Sequence, residues 1–157
     1  MERTTVEIRK YKVITAVVAA TTLFSGGMVY LLFRPSWLLV FDWLEVIGIR
    51  WMIDLFRFSE SILPEWVEYS LPDGLWVYSY TLCIGCIWNF NIKKCWPYLA
   101  VLFAVVLTDE FLQKYHLVPG TYDFFDLLSY STGAIMGVMH LIVVNNLINK
   151  QYYGNRT

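Results

Sequence analysis

The sequence predicts an all-α fold: a polytopic integral membrane bundle of four transmembrane helices with an external amphipathic, interfacial helix. Three observations predict it. Hydrophobic residues make up 57% of the chain and aromatics 18%, with a mean hydropathy of +0.49. That is more apolar surface than a water-soluble chain of this length can hide. Four apolar runs of spanning character recur along it, and the basic residues sort to alternate sides of those runs. At 157 residues the chain has room for one domain, covering 1–157. A net charge of -1 provides no basic field of the kind nucleic acid requires.

The first span is expected over Val13–Phe33, which carries no charge after Arg9, Lys10 and Lys12 and has no small-residue cleavage site. It is read as a retained helix and not a signal peptide. The second and third are expected over Gly74–Phe90 and Pro97–Gln113, a tight hairpin around Lys93 and Lys94, and the fourth over Phe125–Asn146. The positive-inside rule places Arg3, Arg9, Lys10, Lys12, Lys93, Lys94, Lys150 and Arg156 in the cytoplasm, with both termini. Between the first two spans, residues 36–58 are interrupted by Asp42, Glu45, Arg50, Asp54 and Arg57. At about 100° per residue these charges gather on half of a helix wheel, the signature of a helix lying on the outer leaflet or over the bundle mouth.

The costly residues lie at the outer ends of the spans. Only Pro97–Leu107 of the third span is cleanly apolar before Thr108, Asp109, Glu110 and Gln113. That stretch covers roughly half of a ~30 Å hydrocarbon core, so the acids fall in its outer half, where ionisable groups normally face a partner or a wet cavity. A short loop with Pro119-Gly120 as its turn leads to Asp126, Ser129 and Tyr130 on the fourth span. Antiparallel neighbours would bring Glu110 and Gln113 opposite Asp126 and Ser129, with Asp73 and Trp76 at the same level. Gly133 and Gly137 form a small-residue stripe for close helix packing. His116 and His140 lack metal-site spacing, and Cys83, Cys86 and Cys95 are read as small packing residues, so neither metal nor cofactor is expected. His140 is expected to be buried against a carbonyl or an asparagine.

The runs Asp109-Glu110-Phe111-Leu112-Gln113, Val118-Pro119-Gly120-Thr121 and Asp126 through Gly133-Ala134 to Gly137 resemble the signature of the VanZ-like family. These are small bacterial membrane proteins named for a teicoplanin-resistance protein. Glu110, Gln113, Pro119, Gly120, Asp126, Gly133 and Ala134 match its pattern, as does Asp73 opening the preceding span. Thr121 stands where the family usually has Arg and Tyr130 where it usually has Asn, and the Gly120-to-Asp126 spacing is one residue short. The resemblance covers about half the chain. It implies a multi-pass protein of the bacterial plasma membrane with a cell-envelope role linked to glycopeptide resistance, and implies no defined reaction.

Two functions fit these residues. In one, Glu110, Asp126 and Asp73 supply hydrogen-bonding or proton-exchange capacity to a site that binds, and could move or modify, a membrane lipid or lipid-linked envelope component. In the other, the chain is a structural or accessory subunit that contacts a membrane protein partner or further copies of itself through its aromatic external segment and the Gly133/Gly137 stripe. No paired nucleophile is visible.

Overall fold

The computed structural model describes residues 2–57, 63–118 and 122–154, and every regular element among them is helical. Helix α1 (Glu2–Phe33) ends where Pro35 follows Arg34, since a residue before proline is pushed out of the helical region.

The external segment departs from the single helix expected over 36–58. Its described residues form two short helices, α2 (Leu39–Val46) and α3 (Arg50–Asp54), and Phe58 lies outside the described residues. The break falls at Gly48, held at φ +75°, whose N–H returns to the Glu45 carbonyl at 3.0 Å. A left-handed glycine stops a helix whatever the amphipathic pattern around it. Arg50 ties the two pieces together by reaching Glu45 at 2.6 Å and Asp54 at 3.6 Å.

After α4 (Glu65–Tyr69) comes α5 (Leu71–Ile87), which starts earlier than expected because Pro72 falls in the first turn, where a missing N–H costs nothing. It stops before Phe90, and a turn with Asn89 and Phe90 both at positive φ leads to α6 (Ile92–Lys114). The Asn91 side chain caps α6 by accepting from the Lys94 N–H at 3.3 Å. Helix α7 (Phe124–Gly154) runs past the expected end at Asn146. Among the described residues, three stretches are long and apolar enough to cross a membrane: Ile8–Phe33, Ile92–Lys114 and Phe124–Gln151. The 17 residues of α5 rise about 26 Å at the standard helical pitch.

Despite its length, α5 is the centre of the fold, packed between α1 and α7. Small residues allow this. On one side Ser79 donates to the Ala19 carbonyl of α1 at 2.8 Å, within a buried face that includes Thr15. On the other, a Cβ on Gly133 would overlap the Gly74 carbonyl, and one on Gly137 would lie 2.7 Å from Thr81. Gly74 meets Gly133, Thr81 meets Gly137 and Gly85 meets Leu141, so α5 and α7 run parallel. Ala19 against Ser79, and Gly26 against Trp76, make α1 antiparallel to both. Phe90, Cys95 and Leu99 bury the start of α6 against this core.

Candidate functional site

The packing register decides which polar residues meet. Because Gly74 abuts Ser129 and Gly133, the first turn of α5 lies level with the first two turns of α7, which brings Asp73 beside Asp126 and Tyr130. Asp126 is the strongest charge neighbour of Asp73, followed by Arg34, and the Tyr130 hydroxyl approaches the Asp73 carboxylate. From α6 comes Glu110, only 4% exposed, with Asp126 as its main charge neighbour and the Asp123 backbone N–H approaching it.

Several polar atoms here are buried with no hydrogen-bond partner: Glu110 Oε2, Asp126 Oδ1, the Ser70 hydroxyl and Trp76 Nε1. Ser70 is fully buried and lies close to the Asp126 carboxylate without closing a hydrogen bond of sound geometry. Buried polar groups are nearly always paired, so these atoms are the ones with spare hydrogen-bonding capacity for a water, an ion or a ligand.

Arg34 is the one cation in the electrostatic surroundings of both Asp73 and Asp126. It makes no salt bridge to either among the described residues. Its Nη2 donates to the Tyr69 carbonyl at 2.7 Å, and its guanidinium stacks over Tyr69 at 4.5 Å and Tyr30 at 5.2 Å. Arg57 in turn donates to the Arg34 carbonyl at 2.8 Å and stacks over Phe41. Arg34 thus joins the ends of α1 and α4 and takes up Arg57 of the external segment, with its own Nε buried and without a hydrogen-bond partner.

Beneath the acids lies a cavity of about 630 Å³. Leu23 of α1, Val77 and Cys83 of α5, and Leu102 and Val106 of α6 line it, with Asp73, Trp76 and Tyr130 at its outer end. Leu102, Val106 and Glu110 are four apart on one face of α6, as are Asp126 and Tyr130 on α7. Each of α5, α6 and α7 therefore carries a carboxyl group directly above residues that line the cavity.

The structure brings Asp73, Glu110, Asp126 and Tyr130 together. Gln113 points elsewhere: its amide donates to Asp109 at 2.9 Å in an exposed pair, so neither joins the buried cluster. Ser129 contributes backbone, the surface against which Gly74 packs. Pro119, Gly120 and Thr121 lie outside the described residues. His140 sits about four helical turns inward of Asp126, with Nδ1 3.1 Å from the Tyr78 hydroxyl and Nε2 3.3 Å from Thr15 Oγ1, so two hydroxyls take the place of the expected carbonyl or asparagine. Sequence reasoning missed Arg34 and Ser70. The available signal was the position of Arg34 as a lone cation at the end of the first span, level with the acids.

Comparison with family models, with curated proteins and with solved structures gives no match. The site therefore has to be read from its own chemistry. No three acidic, histidine or cysteine groups among the described residues converge closely enough to hold a metal ion.

Proposed function

We propose that this chain is a multi-pass membrane protein that binds an amphiphilic component of the bacterial envelope, taking its chain into the α1/α5/α6/α7 cavity and its polar end among Asp73, Glu110 and Asp126. One observation carries the reading: Asp73 lines the outer end of an apolar cavity, and Glu110 and Asp126, its charge neighbours, stand one helical turn outward of the lining residues Val106 and Tyr130. Binding sites are typically concave and mostly apolar with a few convergent polar groups, and ionisable groups at membrane depth typically serve such a site. In this reading α5 is the fourth span, supported by its packing along α1 and α7. Both termini are cytoplasmic, and α2 and α3 lie at the outer leaflet, their exposed Trp37, Trp43 and Trp51 suited to the interface. Glu110, Asp126, Gly133 and Ala134 support a place for the chain as a divergent branch of the VanZ-like family, with its link to glycopeptide resistance.

The test is native mass spectrometry of the gently solubilised protein. Wild type is expected to retain an amphiphile that is lost from Val106→Trp, which fills the cavity, and from the Glu110→Gln, Asp126→Asn double variant. Retention by all three proteins would overturn the proposal.

A further inference from the structure

Resting on that reading, we infer that the polar end of the ligand is a protonated primary amine, so that the site takes an alkyl chain bearing an ammonium group. The argument starts from what the cluster lacks. Asp73, Glu110 and Asp126 face one another with Asp109 and Asp123 nearby, against a single guanidinium, Arg34. That guanidinium gives Nη2 to the Tyr69 carbonyl and its face to two aromatic rings, which leaves its buried Nε without a partner. Arg57 donates to the Arg34 carbonyl and stacks over Phe41, and Lys114 sits over the Tyr122 ring at 5.4 Å. Carboxyl groups brought together in a low-dielectric site are neutralised by taking up protons or by a cation, and the one guanidinium leaves room for a second positive charge beside three carboxyl groups.

Hydrogen-bonding capacity points the same way. Glu110 Oε2 is a buried acceptor with no donor, and Asp126 Oδ1 has beside it only the fully buried Ser70 hydroxyl, which closes no hydrogen bond of sound geometry. An ammonium group brings three N–H donors and a charge in one compact group, matching acceptors that come from two different helices. A bare metal ion does not suit the arrangement, since no three of these groups among the described residues converge to coordinating distance. An anionic headgroup would add repulsion to the carboxyl groups already there. The cavity, beginning at Asp73 and Tyr130 and ending near Cys83, accounts for the chain.

The experiment compares chain-matched probes on the purified protein in a neutral maltoside detergent at pH 7, with adduct occupancy read by native mass spectrometry. Dodecylamine is expected to occupy wild type at least about tenfold more tightly than dodecanol, the scale of one or two charge-assisted hydrogen bonds. Dodecyltrimethylammonium carries the charge without N–H donors and is expected to bind more weakly than the amine. Butylamine, with no chain to fill the cavity, is expected not to displace dodecylamine. In Glu110→Gln and Asp126→Asn the preference for amine over alcohol should fall to within about threefold, with dodecanol binding retained as the sign of an intact cavity.

Equal occupancy by amine and alcohol in wild type would overturn the headgroup assignment and leave the amphiphile site standing. Trimethylammonium binding as tightly as the amine would overturn the role given to Glu110 Oε2 and Asp126 Oδ1 as acceptors. Preferential binding of dodecyl phosphate would hand recognition to Arg34 and overturn the inference. Displacement by butylamine would make the ligand a free amine and not a lipid. Absence of saturable binding by any probe, unaltered by Val106→Trp, would remove the amphiphile reading itself.

Discussion

Adding one methyl group to Gly133 tests the contact on which the site depends. Its Cβ would fall on the Gly74 carbonyl oxygen, a backbone atom that no side-chain rotation can move aside. Relief therefore requires α5 and α7 to separate. Overpacking of this kind costs about 1–3 kcal/mol, so Gly133→Ala is expected to destabilise by that amount. Gly74→Ala faces the same pair of helices, with its Cβ 2.8 Å from the Ser129 carbonyl. Once one methyl has parted the helices the second finds room, so the double variant should lose less than the sum of the singles. Gly27 provides the control: nothing lies within 4 Å of its Cβ position, and Gly27→Ala should stay within about 0.5 kcal/mol of wild type. Reversible unfolding in mixed bicelles measures all four. The same separation draws Asp73 away from Asp126 and Tyr130, so amphiphile retention should fall in Gly133→Ala and persist in Gly27→Ala. A Gly133→Ala protein no less stable than Gly27→Ala would refute the close approach of α5 and α7.

Arg34→Gln should cost about 1–3 kcal/mol through loss of the Tyr69 hydrogen bond and the stacking on two tyrosines, and Arg34→Lys should recover little, because an ammonium lacks the flat face; thermal unfolding in detergent reads both. His140→Leu removes the partner of Tyr78 and Thr15 and should cost about 1 kcal/mol in the same unfolding assay without altering amphiphile retention. Leu99→Ala leaves a cavity beneath α6, only 2% of Leu99 being exposed, and should raise hydrogen exchange in α6 well above that in α5, the cost being about 2–4 kcal/mol; a uniform rise along the chain would count against it. On a Cys83→Ala, Cys86→Ala, Cys95→Ala background, Ile47→Cys should react with a membrane-impermeant maleimide on intact cells and Lys93→Cys should not. Labelling of both from one side would end the four-span arrangement.

The helical class and the three long spans were legible because apolar runs of such length have few other uses, and lipid demands that their backbone bonds be satisfied internally. Boundaries were less so. Asn145, Asn146 and Lys150 suggest an end to the last span, yet α7 continues, since a helix leaving the hydrocarbon needs no further apolar side chains. The division of 36–58 turned on one left-handed glycine that a helical wheel does not register. In the site, Asp73, Glu110 and Asp126 could be placed at one depth by counting residues. Arg34 stands at that level too, at the end of the first span, but its contact with Tyr69 depends on the α1–α5 register set by Ala19, Ser79, Gly26 and Trp76, and the approach of Ser70 to Asp126 depends on the α5–α7 register set by Gly74 and Gly133. For Gln113, spacing fixed the helix face but not the rotamer, and Asp109 four residues away offered the nearer acceptor.

How α6 is held ties the site to the fold. Its inner end is fixed by apolar packing, with Phe90 and Cys95 fully buried and Leu99 nearly so, and the Cys95 thiol 3.8 Å from the Ile84 carbonyl. Further out, Val101, Val105, Leu107 and Phe111 are exposed on its surface. Glu110 is the one buried residue in that outer half. An apolar helix end has little reason to choose a neighbouring protein over lipid, since lipid tails are equally apolar. The buried polar contact at the outer end of α6 is therefore the Glu110 carboxyl group, approached by the Asp123 backbone N–H and seated beside Asp126 with one oxygen unpaired. A ligand that satisfies Glu110 Oε2 would consequently do two things at once: complete the polar cluster and fasten the α6 wall of the cavity that contains its chain.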